Sequence, residues 1–236
     1  MERLWKILIS PRQEFDEMRE DVSILLPLMT ILLVAGICGA ITVMMTPDQV
    51  FIDAINAQAD AQEQMGQTDN AQELRDQMEN PNMVTLARTV GVVSGFIGAP
   101  IVIVIGLLIL GTFFFIVGKI VGSDTGWVDW FGFSCWVSIP TAVGAILSVV
   151  LVAIGGMDWQ NGLELLGWFG MNAPWAAAIT IPSLWTLYIT VNGLDSWLSK
   201  GAVVSVVVAL IPIVFAMLVG SLMGNVQQSL QSMGLG

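Results

Sequence analysis

"TVGVVSGFIGAPIVIVIGLLILGTFFFIV", residues 89–117, runs for 29 residues without one ionisable side chain. A hydrocarbon core about 30 Å thick is crossed by about 20 apolar residues in a helix. Helix is also the form in which a single segment satisfies its own backbone groups without water. The stretch therefore reads as a transmembrane helix. On either side of it, 22–45, 132–154, 174–193 and 202–224 are of comparable length and equally free of Asp, Glu, Lys and Arg. The chain as a whole agrees: of 236 residues, 55% are hydrophobic and 11% charged, with mean hydropathy +0.78, whereas a soluble domain carries about a quarter charged residues. An all-α polytopic membrane protein with five transmembrane helices is expected.

Charge narrows the function classes. The 8 Lys and Arg stand against 19 Asp and Glu, a net charge of −11, which excludes a basic face for nucleic acid. No His is present, so imidazole bases and His-ligated metals are excluded too. Cys38 and Cys135 lie inside apolar runs and read as small buried residues. Orientation follows from Lys and Arg: Arg3, Lys6, Arg12, Arg19, Lys119 and Lys200 fall on the N-terminal side, and only Arg75 and Arg88 on the other. The N-terminus is expected in the cytoplasm and the C-terminus outside.

Ahead of the first span lies "KILISPRQEF", residues 6–15. Ile7-Leu8-Ile9 is too short for a signal-peptide core, and acidic residues follow it. Ser10-Pro11-Arg12-Gln13 has the form of a capped helix start. Two short interfacial helices over residues 1–21 are expected. The first presents Leu4, Ile7 and Leu8 with Trp5 beside them, and the second presents Phe15 and Met18 while Arg12, Arg19 and the carboxylates face water.

Residues 46–88 form a polar insert outside the membrane. Thr46-Pro47-Asp48-Gln49 repeats the cap pattern and predicts a helix over 47–65 with Val50, Ala54, Ala57, Ala61 and Met65 as its apolar stripe. After Gly66-Gln67-Thr68 a second helix is expected over 69–79 with Ala71, Leu74 and Met78 in register, stopped by Asn80-Pro81. Residues 155–173 read as an interfacial helix or a re-entrant segment. Trp127, Trp130, Trp159, Trp168, Trp175 and Trp197 fall near span ends and read as an aromatic belt.

No catalytic constellation, metal site or cofactor motif is apparent. Every span carries a proline, and Pro100, Pro140, Pro182 and Pro212 are read as interior, where each removes a helix hydrogen bond. Ser138, Thr141, Thr180, Ser183, Thr186 and Asn192 are placed to satisfy the freed groups or to line a ligand path. Gly91-x-x-x-Gly95 matches the small-residue motif of packed membrane helices.

Several segments together carry a resemblance. Pro11-x-x-x-Phe15 precedes span one, "GSDTGWVDWFGFSCWVSIP" (122–140) enters span three, and "PSLWTLYITVNGLDSWLSKGAVVSVVVALIP" (182–212) joins spans four and five. In this order they resemble the Yip family of Ypt/Rab-interacting membrane proteins in its bacterial form. The resemblance implies a five-helix membrane domain over 22–236 in a bacterial cytoplasmic membrane, with the N-terminus in the cytoplasm. Eukaryotic members associate with Rab GTPases and with each other; their Asp-Leu-Tyr-Gly-Pro segment is absent here, so GTPase binding does not carry over.

The leading expectation is a non-enzymatic membrane organiser that meets lipids, other copies or other membrane proteins, without nucleic acid. Trp5, Pro11, Phe15, Lys119, Asp124 and Asp129 form its cytoplasmic contact surface. The alternative is a channel or transporter for a small solute or ion, built around Pro100, Pro140, Pro182 and Pro212 with Ser138, Thr186 and Asn192. An enzyme acting on lipid through Lys119, Asp124 and Asp129 is the least supported reading, since those three read as loop charges.

Overall fold

The structure, a computed structural model, describes residues 2–19, 21–78, 81–159, 162–171 and 175–232. Ten α-helices account for nearly all of them: α1 Glu2–Ile9, α2 Pro11–Met18, α3 Leu25–Met45, α4 Asp48–Gln64, α5 Thr68–Met78, α6 Pro81–Ile120, α7 Trp127–Val137, α8 Ile139–Gly155, α9 Ile181–Leu198 and α10 Ala202–Ser232. Four stretches, Leu25–Met45, Asn82–Ile120, Trp127–Gly155 and Ala202–Leu222, are long and apolar enough to cross a membrane. The chain is an all-α polytopic membrane protein. The remaining expected span is α9, whose 18 residues extend about 27 Å and include Asn192 and Asp195.

Two helix starts differ most from expectation. α6 begins at Pro81 rather than 89 and continues for 40 residues, about 60 Å, because Pro at a first helical position starts a helix as readily as it ends one. Asn80, the expected stop, lies outside the described residues. α9 begins at Ile181 rather than 174. Its start is fixed by a reciprocal cap: Ser183 N donates to Thr180 Oγ1 (3.1 Å) and Thr180 N donates to Ser183 Oγ (2.8 Å), with Pro182 in the first turn.

The segment before α9 is not an interfacial helix. It forms short 3-10 turns at Met157–Trp159, Gly167–Phe169 and Ala176–Ala178. Glu164 pairs antiparallel with Thr180, as Leu165 N donates to Ile179 O (3.0 Å) and Ile181 N to Leu163 O (3.1 Å).

Close backbone contact organises the bundle. α3 runs antiparallel to the first half of α6, where a Cβ on Gly39 would lie 2.9 Å from Gly95 O and one on Gly91 3.0 Å from Val43 Cγ1. The Gly91/Gly95 motif thus serves packing within the bundle. α7 takes the second half of α6, with Gly111 against Phe131 and Gly118 against Trp130. α9 runs antiparallel to α7 and α8, Pro182 lying against Gly144 and Gly193 against Phe133.

Beyond α3, α4 and α5 make the expected helical hairpin, turned at Gly66 with φ +78°. On α4 the stripe is not the expected one: Val50 and Met65 are exposed and Ala59 is buried instead, while on α5 Ala71 is buried. Neither predicted capping box forms at Ser10 or Thr46. Ser10 makes no cap bond and Gln13 donates to Glu17. Thr46 Oγ1 turns back to Thr42 O (3.0 Å) and Gln49 donates to Asp53 (2.8 Å), the local alternatives open to hydroxyl and amide side chains on helices. Arg88 pins the start of α4 instead, donating to Thr46 O (2.8 Å) and Asp48 Oδ1 (2.6 Å) with its guanidinium 5.6 Å from the Phe51 ring.

Candidate functional site

Helices of eight residues do not persist alone in water, so α1 and α2 need partners. Ile7, Phe15 and Met18 are fully buried. Phe15 does not rest on lipid as expected: its ring lies 4.9 Å from that of Phe133 and 6.2 Å, edge-on, from that of Trp197. Phe133 and Trp197 continue the cluster to Trp130 (5.4 and 5.1 Å), and Phe114 closes it 5.2 Å from Phe133. Such tilted and edge-on pairs add about 0.5–1.5 kcal/mol each beyond their burial.

Three indoles then tie down the N-terminal backbone. Trp185 Nε1 donates to Leu8 O (3.2 Å), Trp197 Nε1 to Phe15 O (3.1 Å) and Trp136 Nε1 to Ser23 O (2.7 Å). Leu8 and Phe15 lie in the last turns of α1 and α2, where helix carbonyls lack intrahelical donors, so each indole satisfies a group the helix itself cannot. Around them Arg12 pairs with Asp195 (3.1 Å) and Ser196 Oγ donates to Asp16 (2.5 Å). The belt reading therefore fails for Trp130 and Trp197, which are buried, while Trp127, Trp159, Trp168 and Trp175 keep exposed rings. Trp136 and Trp185 carried no such signal in the sequence; their partners are backbone carbonyls more than a hundred residues away.

Glu14 is also misplaced by a reading that sends every carboxylate of α2 to water. It is 1% exposed and meets Arg3 Nε at 3.4 Å. Burial pushes its carboxyl up from 4.5, against the opposing pull of Arg3.

The expected contact surface divides accordingly. Pro11 and Phe15 are interior, whereas Trp5 is 65% exposed. Lys119, in the last turn of α6, and Asp124, in the α6–α7 loop, are exposed, Lys119 Nζ donating to Ser123 O (3.2 Å). Asp129 accepts from Gly126 N (3.1 Å) and so caps α7. A cleft of about 360 Å³ between α2 and α9 brings Arg12, Gln13 and Asp16 together with Tyr188 and Asn192.

The prolines do not converge on a path. Pro100 and Pro212 are interior to α6 and α10, but Pro140 and Pro182 stand in the first turns of α8 and α9, where no helix bond is lost. Ser138 sits at the α7–α8 break with its hydroxyl on Ser134 O (2.8 Å), and Asn192 Nδ2 donates to Tyr188 O (2.8 Å). Thr186 Oγ1 is buried without a partner among the described residues. The Phe15, Phe133, Trp130 and Trp197 cluster, all at most 2% exposed, packs around the C-terminal part of α9 at Gly193 and Trp197. Among the described residues no group of three or more His, Cys, Asp and Glu is placed to hold a metal.

Comparison with curated proteins and with solved structures finds no match in either. A family model for the Yip1 domain matches residues 5–223, from the middle of α1 through the apolar part of α10. The resemblance read from 11–15, 122–140 and 182–212 thus extends across the whole bundle, and the chain belongs to the Yip1 domain family.

Proposed function

We propose that this membrane protein is a non-enzymatic scaffold, oriented with its N-terminus in the cytoplasm of a bacterium. Its partner surface is the exposed side of the α1–α2 hairpin, the adjoining cleft with Arg12, Tyr188 and Asn192, and the end of α6 with the loop after it, at Lys119 and Asp124. The observation that carries this reading is the integration of the hairpin into the bundle through Phe15, Met18 and the three indoles. A segment fixed in this way presents Trp5 and Ile9, both more than half exposed, at a set position, and preorganised aromatic anchors are what protein interfaces exploit. Its occupants are other membrane proteins or further copies of the chain, set among lipids.

The transporter alternative has less support, because Pro140 and Pro182 begin helices rather than break them. Purification in native-lipid discs followed by mass spectrometry tests the proposal. A specific protein, a second copy included, should accompany the wild type and be lost from a Trp5→Ala, Ile9→Ala, Lys119→Glu variant. Identical recovery from both, or a bare monomer from the wild type, counts against it.

A further inference from the structure

A cavity of about 340 Å³ lies between α8 and the start of α9, on the stretch of α8 that α1 flanks from another side. Its walls include Thr141, Ser148, Glu164, Thr180, Ser183 and the ring of Pro182. Its floor is recessed. Pro182 touches Gly144 so closely that a Cβ there would stand 2.5 Å from Pro182 Cγ, yet α8 continues eleven residues further to Gly155, about 16 Å. The non-helical backbone of Leu163, Glu164 and Thr180 therefore sits well below the end of a membrane helix. At such depth irregular backbone is tolerated where it lines a cavity rather than lipid.

Two groups in this cavity are left over after the fold is satisfied. The Glu164 carboxylate has no ion pair or hydrogen bond among the described residues, and neither has the Ser148 hydroxyl, although Ser183 and Thr180 cap each other and Thr141 bonds Ser138 O. The described cations are engaged elsewhere: Arg3 with Glu14, Lys6 with Glu2, Arg12 with Asp195, Arg75 with Asp60 and Glu63, Arg88 with Asp48, and Lys119 with Ser123. Arg19 and Lys200 lie at the other end of the bundle. A carboxylate held at membrane depth calls for a positive partner, and this chain does not supply one.

We infer that the cavity binds a small solute or headgroup bearing a primary ammonium group. The –NH3⁺ group has three donors and no acceptor. Glu164 and Ser148 take two of them, the oxygen lone pairs of Thr141 or Thr180 take the third, and Leu163 and Pro182 cover the attached carbon chain. A single carboxylate among hydroxyls is a poor cage for a divalent ion, which gathers six or more oxygens, and the volume exceeds what a bare ion fills.

Calorimetric titration of ethanolamine into the full chain tests the inference, in nanodiscs of phosphatidylglycerol alone and of phosphatidylglycerol with phosphatidylethanolamine. Saturable binding is expected in the first discs, weakened at least about tenfold by Glu164→Gln and by Ser148→Ala. Loss of binding in the second discs would identify the lipid headgroup as the occupant, and unchanged binding there a free amine; either bears the inference out. Circular dichroism and elution volume verify that both variants fold. Absence of saturable binding in phosphatidylglycerol discs, equal affinity in the wild type and folded Glu164→Gln, or equal affinity for tetramethylammonium, which has no N–H donor, would overturn it.

Discussion

The two helical hairpins outside the long apolar helices begin with the same kind of sequence and end in opposite situations. Ser10-Pro11 opens α2 and Thr46-Pro47 opens α4, and neither hydroxyl caps its helix. α1–α2 is drawn into the bundle, with Ile7, Phe15 and Met18 fully buried and its carbonyls met by Trp185 and Trp197. α4–α5 buries two alanines, Ala59 and Ala71, and is otherwise held by exposed guanidinium contacts from Arg75 and by Arg88 at its base. The difference is apolar payload: one fully buried Phe is worth about 1.5–3 kcal/mol, while an exposed ion pair contributes little after screening. A start signal fixes where a helix begins; the side chains that follow decide whether it joins a core.

Removing the payload should have the largest effect. Phe15→Ala empties a site between Phe133 and Trp197, and a loss of about 3–5 kcal/mol is expected, read as a lower unfolding temperature of the full chain in detergent. An unchanged unfolding temperature would mean that α2 does not belong to the bundle.

Gly193→Ala probes the same contact from α9. A Cβ there would stand 2.6 Å from Phe133 and 2.7 Å from Phe15, two rings already confined, so overpacking should cost about 1–3 kcal/mol. The same substitution at Gly66, whose Cβ would meet nothing within 4 Å, should act only through its positive φ and loosen α4–α5 without disturbing the bundle.

Glu14 gives the buried hairpin a pH dependence. Its folded pKa is raised by burial above 4.5, with Arg3 and Lys6 pulling it down and Glu17 and Glu2 adding to the rise. The folded state thus binds the proton more tightly than the unfolded one. The associated stability is fully present below about pH 4.5 and is lost as pH rises through the raised folded value. Proteolysis within residues 1–20 should slow as pH falls from neutrality toward 5, and Glu14→Gln should flatten that trend.

Arg75→Ala should matter least. Its pairs with Asp60 and Glu63 lie in solvent, so the unfolding temperature of the whole chain should stay unchanged while amide exchange within α4–α5 accelerates.

The sequence carried the architecture because lipid imposes length and composition on every crossing helix, and 89–117 shows both. It placed α4 and α5 nearly to the residue, since Gly66 and the flanking prolines act locally. It misplaced α9 by seven residues because the apolar run from Trp175 hides a start that Thr180-Ile181-Pro182-Ser183 fixes by side-chain bonds. Pro140 and Pro182 looked interior for the same reason: apolarity sets the extent of a span, whereas capping sets where its helices begin. The docking site was hidden for a different reason. A Trp near a span end reads the same whether it faces headgroups or donates to a distant carbonyl, and only the chain path brings Trp197 to Phe15 or Trp185 to Leu8. Glu164 was legible as a charge in a loop, but its recess beside α8 depends on the turns at 157–178, which have no periodic signal.

Residue-resolved hydrogen exchange of the full chain in lipid nanodiscs reads directly whether α2 is part of the core. If α2 is part of the core, the amides of residues 14–18 exchange as slowly as those of 189–197 in α9, and far more slowly than those of 52–64 in α4. Exchange of 14–18 as fast as that of α4 would contradict the account.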